Sequence, residues 1–429
     1  MNAAADLPTG PVAIPGGWTV PDNSWDLLAG LTAEPPTVSV VVPYYRDQAG
    51  LDAIVTALEA QRYPRARIEL VVADDGSPEP PRVVTGLAHQ LVRQDDLGFR
   101  AAAARNLGLA AAEGTVVAFL DGDCVPGPGW LAALTRLPGL APEALVVGRR
   151  EHRWGSGPRA GEAIEAPRWL ADGYAASGDL LRADDASWRF VISANLAGTR
   201  DFLRELGGFD GSLIGYGGED WELAERAWHA GALLAHEPAA VVVHDGPDWA
   251  GRPEDRRSAK NAESLALARR LRHPMGRPRG FGAPGLAVRL RSGTPAAALV
   301  CVGSLLRAYP SSVIAVGAEL LDALPPDPRV LAELPALEPR PGVPAPRWWL
   351  DLDEPVRFDA GLARALDRLA GADAPGTLLA PGIRLTRSRA LARERRAGRP
   401  LFRTETVPGL GHRLPAEVDL EGWFGGWWP

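Results

Sequence analysis

The chain has 429 residues, a formal net charge of −7 and two cysteines. This length exceeds one ordinary hydrophobic core, so we expect two domains or one large domain with extensions. The negative charge, and the lack of a basic stripe interleaved with aromatic residues, argue against nucleic acid as the main partner. Cys124 and Cys301 are too few for a disulfide framework and are consistent with a reducing compartment.

The sequence also argues against secretion and against membrane insertion. The first residues, 1–6, have no basic segment and no apolar core of the kind that secretory signals carry. The longest apolar run, residues 296–302, is too short to span a bilayer. We therefore expect a cytoplasmic protein with no transmembrane segment, either soluble or peripheral at the inner face of the membrane.

After a Pro- and Gly-rich extension, residues 1–36, the first regular elements form a strand–helix–strand unit. Residues 37–43 and 68–74 are apolar runs typical of buried strands, and apolar residues recur between them at helical spacing. Parallel pairing of the two strands places Pro43 and Asp75 at the same edge of the sheet. An Asp at a strand end can accept a hydrogen bond from the N3–H of uracil or from ribose hydroxyls, although a plain turn would also contain one.

A third apolar run, residues 115–120, ends in Asp121-Gly122-Asp123. It predicts a further strand of the same sheet, which places Asp121 in one crevice with Pro43 and Asp75. Carboxylate oxygens suit Mg²⁺ or Mn²⁺, and these ions usually also hold substrate phosphates. Either acidic segment alone would suit an ordinary turn, but two at one sheet edge indicate a metal–diphosphate site.

Arginines follow in a loop that runs into an Ala-rich helix, residues 97–108. Small residues allow the backbone to lie close to a ligand, and Arg100 and Arg105 can face phosphate oxygens. A solvated helix would have the same composition, so this segment supports the phosphate site without establishing it.

Farther along the chain, a Gly-rich turn leads into a helix that begins with Glu219 and Asp220. Carboxylates at a helix start meet its unsatisfied N–H groups, so helix capping explains one of these acids. Capping does not explain Gly215, Gly217 and Gly218, which suggest a close approach of the backbone to a sugar.

Taken in order, these motifs resemble the family 2 inverting glycosyltransferases of the GT-A fold, an α/β fold with a mostly parallel sheet flanked by helices. From Asn195 to His244 the chain is similar to the carboxy-terminal segment of galactosyl- and N-acetylgalactosaminyltransferases. The resemblance implies a nucleotide-sugar-binding half, residues 37–150, and an acceptor-binding and catalytic half, residues 151–250. The motifs are Val-Pro-Tyr (42–44), Asp-Asp-Gly-Ser (74–77), Ala-Arg-Asn (104–106), Asp-Gly-Asp (121–123), Gly-Gly-Phe-Asp (207–210) and Gly-Gly-Glu-Asp-Trp-Glu-Leu (217–223).

The resemblance also implies roles for single residues. Asp75 would bind the base, Asp121 the ribose or the metal, and Asp123 the metal. Glu219 would hold a sugar hydroxyl, and Asp220 would be the catalytic base. The remaining assignments are Pro43, Tyr45, Arg100 and Arg105 for the nucleotide sugar, His244 for the metal, and Asn195, Gly217, Gly218 and Trp221 for the acceptor. A structural turn would also account for His244 and for Asn195, and core packing for Trp221.

These roles predict a hexosyl- or N-acetylhexosaminyltransferase that uses Mn²⁺ or Mg²⁺ and inverts the transferred sugar. Its donor would be a nucleoside diphosphate sugar, with Asp75 favouring uracil, and its acceptor a carbohydrate, a lipid-linked molecule or a small molecule. Two alternatives remain open: an inactive protein of the same fold that binds glycan or nucleotide, and a nucleotidyltransferase. The latter is expected to have a Gly-rich phosphate loop after the first strand, where residues 43–47 contain no glycine.

The rest of the chain is expected to comprise a basic linker or helix, residues 251–295, and a smaller C-terminal domain, residues 296–429. The linker would meet an anionic acceptor, a lipid head group or the diphosphate, or would be a plain solvated helix. The apolar tail, residues 423–428, is expected to dock on its own chain or on a partner subunit of a homo-oligomer.

The C-terminal domain resembles the first domain faintly. Residues 305–317 match residues 58–74, and residues 358–380 match residues 99–118. This alignment puts Pro381 near the place of Asp-Gly-Asp. We expect a degenerate GT-A-like repeat without a metal motif, or else a chance similarity.

Overall fold

The computed structural model describes residues 7–155, 159–215, 217–246, 256–276, 284–334 and 345–423. Its first part is a nine-stranded, mostly parallel sheet flanked by helices, which confirms the predicted α/β class. The strands are β1 (Val12–Ile14) and β2 (Gly17–Thr19) in a separate hairpin, then β3 (Val38–Tyr44), β4 (Ile68–Asp74), β5 (Ala88–Arg93), β6 (Val116–Leu120), β7 (Cys124–Pro126), β8 (Ala144–Arg153), β9 (Ala163–Ile164), β10 (Asn195–Thr199) and β11 (Leu233–Asp245). The helices are α1 (Gln48–Glu59), α2 (Ala101–Ala111), α3 (Trp130–Arg136), α4 (Arg168–Ser177), α5 (Arg200–Glu205), α6 (Glu219–His229) and α7 (Arg256–Ala268).

The order of the strands brings several chain segments to one edge of this sheet. The order is β5-β4-β3-β6-β10-β8-β11-β7, with β9 paired to β8. The first four strands are parallel, whereas β10 runs antiparallel to β6 and to β8. Because β10 is reversed, its first residue, Asn195, lies opposite Leu120, the last residue of β6. The start of β10 therefore lies at the edge where β3, β4 and β6 end.

Apolar side chains alternate between the two faces of the sheet and so position the helices. Val40 and Val42 of β3 belong to the core layer that contains Leu51 of α1. Val41, between them, belongs to the opposite layer, which contains Leu109 of α2. Burial at both faces explains the uninterrupted apolar sequence of β3.

A second sheet of seven strands follows in the C-terminal part of the chain. Its longest apolar run lies in helix α8, and no helix in the described ranges is long and apolar enough to cross a membrane. The strands of this part are β12 (Leu286–Leu290), β13 (Ser312–Ala315), β14 (Val330–Leu331), β15 (Trp348–Leu352), β16 (Val356–Arg357), β17 (Thr377–Ala380), β18 (Ile383–Arg387), β19 (Thr404–Thr406) and β20 (His412–Arg413), with β16 and β20 paired outside the sheet. The helices are α8 (Pro295–Ala308), α9 (Ala318–Ala323), α10 (Ala360–Ala370), α11 (Ser388–Ala397) and α12 (Leu420–Trp423). Of the apolar tail, only Trp423 lies within the described residues.

The second sheet repeats the order and the strand directions of the first. Its order is β14-β13-β12-β15-β18-β17-β19, in which the first four strands are parallel. Strand β18 is antiparallel to β15 and to β17, and β19 is parallel to β17. Strands β12, β13, β14, β15, β17, β18 and β19 thus take the places of β3, β4, β5, β6, β8, β10 and β11. The predicted degenerate repeat is confirmed.

The repeat supports one of the two predicted sequence matches and corrects the other. Residues 305–317 cover the end of α8 and all of β13, which take the places of α1 and β4. Residues 358–380 do not correspond to residues 99–118, because β15 and not β17 takes the place of β6. The matched segment contains helix α10, which lies between β15 and β17, whereas α2 lies between β5 and β6.

One acid is retained at the equivalent strand end of the second sheet. Asp353 follows β15 as Asp121 follows β6, so Pro381 is not at the equivalent position. Arg291 lies 3.8 Å from Asp353 and 3.1 Å from Asp351. Ion pairs thus lie at the end of β15, and a cavity of about 540 Å³, lined by residues that include Arg289, Val316 and Glu333, opens at the ends of β12, β13 and β14.

Buried arginines hold the two sheet units together. The guanidinium of Arg347, next to β15, donates to Asp185 Oδ2 through Nε (2.9 Å) and Nη2 (2.7 Å). The indole Nε1 of Trp228, on α6, donates to the other oxygen of Asp185 at 2.8 Å. Arg389 of α11 lies with its guanidinium carbon 3.8 Å from the centre of the Trp228 ring. The second unit therefore packs directly on helix α6.

We predict that Asp185→Ala strongly destabilises the protein, because it leaves Arg347 buried without its carboxylate. The free energy of unfolding, measured by chemical denaturation, should fall by about 3–5 kcal/mol. Glu354→Ala is the control, since its pair with Arg413 is largely exposed and should contribute little. Equal effects of the two substitutions would contradict a buried ionic interface between the units.

Candidate active site

Two adjoining cavities lie at the edge where β3, β4 and β6 end. The "strand-end cavity", about 300 Å³, is lined by residues that include Pro43, Tyr45, Asp75, Asp121, Asp123 and His244. The "helix-start cavity", about 400 Å³, is lined by residues that include Trp169, Ser193, Gly217, Gly218, Glu219, Asp220 and Trp221. Residues that line both are Phe99, Ala101, Arg105, Asp121 and Arg150. Among the predicted site residues, only Arg100 and Asn195 line neither cavity.

Asp75 is buried directly after β4 and lines the strand-end cavity. Its Oδ1 accepts a hydrogen bond from Gln94 Nε2 at 2.6 Å, and its Oδ2 accepts one from the backbone N–H of Arg100 at 2.8 Å. Each oxygen keeps a lone pair for a further donor. Arg100 begins helix α2, and its guanidinium lies 3.7 Å from the same carboxylate. The structure therefore places Arg100 as a support for Asp75, whereas a phosphate contact had been predicted.

Asp123 and His244 are in contact at the floor of the strand-end cavity. His244 Nε2 lies 3.2 Å from Asp123 Oδ2, and its Nδ1 lies 3.1 Å from the carbonyl oxygen of Gly246. A carbonyl oxygen only accepts hydrogen bonds, so Nδ1 carries a proton. Nε2 faces the Asp123 carboxylate, and a proton or a cation can lie between these two groups. Burial acts to lower the pKa of His244, but Asp123 outweighs it, and the pKa is raised.

The predicted metal ligands are not all assembled. Asp121 lies at the same strand end but is ion-paired with Arg105 instead of facing His244. Within the described ranges, no three His, Cys, Asp or Glu side chains are already grouped as a ligand set. Two carboxylates and one imidazole nonetheless form a donor set that suits a divalent cation such as Mn²⁺. Asp123 and His244 provide the preformed part of that set.

Arg105 joins the two cavities through a pair of buried ion pairs. Its side chain is almost wholly buried, with Nη2 2.6 Å from Asp121 Oδ1 and Nη1 3.0 Å from Glu219 Oε1. Arg105 projects from α2, Asp121 follows β6 and Glu219 begins α6. One guanidinium thus fixes three elements relative to one another. It had been predicted to face phosphate oxygens, but both of its Nη atoms are engaged by carboxylates.

Asp220 has the environment of a general base. It lies in the first turn of α6 and lines the helix-start cavity. Its Oδ1 accepts a hydrogen bond from the backbone N–H of Trp221 at 2.8 Å. Burial, followed by the negative charge of Glu219, raises the pKa of Asp220 to about 7, although Arg105 opposes the shift. A carboxylate with such a pKa can take a proton near neutral pH.

The glycines before α6 have a structural explanation that the sequence did not provide. Gly217 and Gly218 have φ values of +92° and +93°, which side chains other than glycine rarely adopt. A Cβ at Gly217 would lie 3.0 Å from the carboxyl carbon of Glu263, and one at Gly218 would lie 3.0 Å from Leu267. Helix α7 therefore packs against this turn, and the glycines give it room. Both glycines still line the cavity.

Asn195 is placed in a structural role, where acceptor binding had been predicted. Only 1% of the residue is exposed. Its Oδ1 accepts a hydrogen bond from Trp130 Nε1 at 2.8 Å, and its Nδ2 donates to the carbonyl oxygens of Ala240 (2.9 Å) and Arg149 (3.2 Å). Both amide protons are thus used within the protein, and Asn195 ties β10 to β8 and β11.

Tryptophans form one wall of the helix-start cavity. Trp221 is half-buried and packs edge-on against Trp188 (5.7 Å between ring centres) and Trp169 (6.4 Å). Trp188 is 1% exposed and belongs to the core. Trp169 is 44% exposed and lines the cavity. Sugar C–H faces stack well on such rings, so Trp169 and Trp221 suit a carbohydrate.

Sequence reasoning missed several residues at the site. Arg150 of β8 lines both cavities, and Lys260 and Glu263 of α7 line the helix-start cavity. The charged residues that interrupt the apolar run of β8 would have been a signal for Arg150. The basic linker had been assigned to solvent or to an anionic ligand, so the position of α7 beside Asp220 could not be foreseen. Tyr216, in the Gly-rich turn, lies outside the described residues.

Comparison with known proteins places this region in a family. Residues 39–207 match the family model "Glycosyl transferase family 2", and residues 179–239 match the model "N-terminal domain of galactosyltransferase". A validoxylamine A glucosyltransferase of Streptomyces hygroscopicus subsp. limoneus is 32% identical over 272 residues, which cover 56% of this chain and 57% of the relative. A pre-mycofactocin glycosyltransferase of Mycobacterium tuberculosis is 32% identical over 50% of this chain and 45% of the relative. The Escherichia coli chondroitin synthase is 28% identical over 54% and 38% of the two chains.

The chain thus spans about half the length of the curated relatives that it matches. Among solved structures, a Pyrobaculum calidifontis mannosyltransferase in complex with GDP-Man and Mn²⁺ is 22% identical, with a TM-score of 0.38 over 59% of this chain and 64% of that chain. GalNAc-T7 with UDP, GalNAc and Mn²⁺ is 20% identical, with a TM-score of 0.36 over 49% and 44%. The family model covers the strands that carry Asp75, Asp121 and Asp123. The chain therefore contains a glycosyl transferase family 2 domain, which spans residues 39–207.

Proposed function

We propose that the chain is a metal-dependent inverting glycosyltransferase that moves a sugar from a nucleoside diphosphate sugar to an acceptor hydroxyl. The observation that carries the proposal is the junction of two cavities at Arg105, where one guanidinium joins Asp121 to Glu219 beside the candidate base Asp220. The family 2 domain supports this reaction class, as do the relatives that are named glycosyltransferases.

The two cavities divide the substrates between them. The nucleotide would lie in the strand-end cavity, with its base at Asp75 and its diphosphate toward Asp123 and His244. The sugar would lie at the junction of the two cavities, because Asp121 and Arg105 line both of them. The acceptor hydroxyl would enter the helix-start cavity beside Asp220. In this arrangement the leaving diphosphate and the attacking hydroxyl lie on different sides of the anomeric carbon, as an inverting displacement requires.

The residues of the chain have separate tasks in the reaction. The Asp220 carboxylate would take the acceptor proton as the hydroxyl attacks, a contribution of roughly 10²–10⁴-fold. Glu219, held by Arg105, would accept a hydrogen bond from a sugar hydroxyl and so orient the sugar. Asp123 and His244, with Asp121 as a further carboxylate, would hold a divalent cation that neutralises the diphosphate leaving group. Arg150, which lines both cavities, would add positive charge at the same place.

The donor is proposed to be a UDP-sugar. Asp75 accepts two hydrogen bonds from the protein and keeps a lone pair on each oxygen, so it can accept the N3–H of uracil.

A panel of sugar nucleotides tests the proposal directly. Each donor is incubated with the protein and Mn²⁺, and the released product is identified. Free UDP from a UDP-sugar is expected, with or without an added acceptor, because water can take the place of the acceptor hydroxyl beside Asp220. Pyrophosphate would identify a nucleotidyltransferase, and donor binding without any release would identify an inactive binding protein.

We predict that Asp220→Asn lowers kcat by roughly 10²-fold or more while donor affinity changes little. The amide keeps the shape of the carboxylate but cannot take the proton. Asp201→Asn is the control, because Asp201 is also an acid in the first turn of a helix, α5, and its side chain is largely exposed. If Asp220→Asn kept near-normal turnover, Asp220 would not be the base, and Glu219 would become the candidate.

The pH profile provides an independent test of the same group. A base with a raised pKa is protonated and inactive below that pKa, so kcat/KM should fall about tenfold per pH unit below about 7. The acidic limb should disappear in Asp220→Asn. An acidic limb near pH 4 in the unaltered protein would contradict the assignment, since it is the range of an ordinary carboxylate.

We further predict that Asp123→Asn weakens Mn²⁺ binding, measured by calorimetry without substrate, by at least roughly tenfold. The loss of one charged ligand leaves His244 without its partner carboxylate. Asp353→Asn is the control, because Asp353 occupies the strand end of the second sheet that corresponds to Asp121. Unchanged Mn²⁺ affinity in Asp123→Asn would show that the cation is held elsewhere.

A further inference from the structure

A third cavity opens beside the helix-start cavity. This "side cavity" has a volume of about 340 Å³ and is bounded on one side by a single face of helix α4. It shares Arg150 and Ile192 with the helix-start cavity, so the two spaces adjoin. The residues of α4 that line it are Leu170, Ala171, Tyr174 and Ala175. A molecule with one hydroxyl at Asp220 can therefore extend into it.

The side cavity is lined by a histidine–aspartate pair in which His236 is buried and Asp179 is partly exposed. His236 Nδ1 lies 2.7 Å from Asp179 Oδ1, and the backbone N–H of His236 donates to the Asp179 carbonyl oxygen at 3.0 Å. The His236 ring stacks flat on Tyr174, with 3.6 Å between ring centres and 2° between the planes. The Tyr174 hydroxyl donates to the carbonyl oxygen of Phe190 at 2.7 Å, which fixes the stack.

One polar atom of this pair has no partner. His236 is only 7% exposed, and its Nε2 has no hydrogen-bond partner among the described residues. Burial lowers the pKa of His236, so the ring is neutral at physiological pH. Because Nδ1 donates its proton to Asp179, Nε2 carries a lone pair and is an acceptor. Nε2 has almost no surface open to water, so the stacked rings of His236 and Tyr174 form a wall of the side cavity without a free acceptor.

The backbone around Asp179 is held in an unfavourable conformation. Asp179 and Leu180 have φ values of +55° and +69°, and they follow Gly178 at +62°. A positive φ costs free energy at a residue such as leucine, so this backbone conformation persists only where surrounding contacts hold it. Here it points the Asp179 carboxylate at His236.

We propose that the side cavity is an acceptor subsite that holds an apolar ring of the acceptor between the face of α4 and the stacked rings of Tyr174 and His236. The proposal rests on the proposed function, since the ring must belong to a molecule whose reacting hydroxyl lies at Asp220. An acceptor with an aryl or alicyclic ring next to its sugar or hydroxyl fits this description. A purely carbohydrate acceptor would leave the apolar face of α4 unused.

Paired probes that differ only in the ring test the proposal. Phenyl β-glucoside and methyl β-glucoside are compared for binding to the protein by ligand-observed NMR. The phenyl glucoside should bind at least about tenfold more tightly, because burial of a ring removes a large apolar area from water. Equal binding of the two probes would overturn the proposal.

Two neighbouring alanines provide a matched pair of variants. Ala175→Phe places a ring in the side cavity from its rim, where the residue is exposed, and should abolish the preference for the phenyl probe. Ala176→Phe adds the same ring at the next position, exposed and outside the cavity, and should keep that preference. A preference that survives Ala175→Phe would also overturn the proposal.

The binding assay separates this proposal from the reaction itself. If no sugar nucleotide releases UDP but the phenyl preference is present and sensitive to Ala175→Phe, the proposed reaction fails and the cavity remains an apolar ring site. If UDP is released but the probes bind equally, glycosyl transfer stands and the subsite is rejected.

Discussion

The arrangement of this site depends on one buried cation. Arg105 bridges Asp121, at the end of a strand, and Glu219, at the start of a helix from the other half of the domain. Without it, three carboxylates, with Asp220 as the third, would face one another in a partly buried space and repel. The bridge holds Glu219 at the start of α6, and burial together with the negative charge of Glu219 raises the pKa of Asp220. A structural ion pair thereby prepares a proton acceptor.

The second sheet unit supports this arrangement by packing against helix α6. It repeats the strand order of the first sheet, and ion pairs between Arg291 and the acids after and within β15 lie at the end of β15. Its arginines Arg347 and Arg389 are used against Asp185 and Trp228, beneath helix α6. The repeat thus provides an interface to the first unit through residues before β15 and in α11. Because α6 begins with Glu219 and Asp220, a brace on its buried side restricts the motion of the acids.

Local patterns in the sequence predicted the strands, the acidic strand ends and the acidic helix start, because each depends on neighbours along the chain. What they could not predict was which partners distant segments supply. Asn195 was predicted to bind the acceptor, but its amide is hydrogen-bonded to Trp130 and to two backbone carbonyl groups. Gly217 was predicted to let the backbone approach a sugar, but it gives room to a helix from a basic segment that gave no such signal. His236 had no informative neighbours, and its partner Asp179 lies in an unusual backbone conformation.

The central claim is that one carboxylate, Asp220, activates the acceptor for a single direct displacement at the anomeric carbon. The configuration of the first product tests this claim most directly. Proton NMR of the product formed from an α-linked UDP-sugar, recorded before any isomerisation, should show a β-linkage through the coupling constant of the anomeric proton. An α-linked product would contradict the account, because retention requires either two successive displacements or attack from the side of the leaving group.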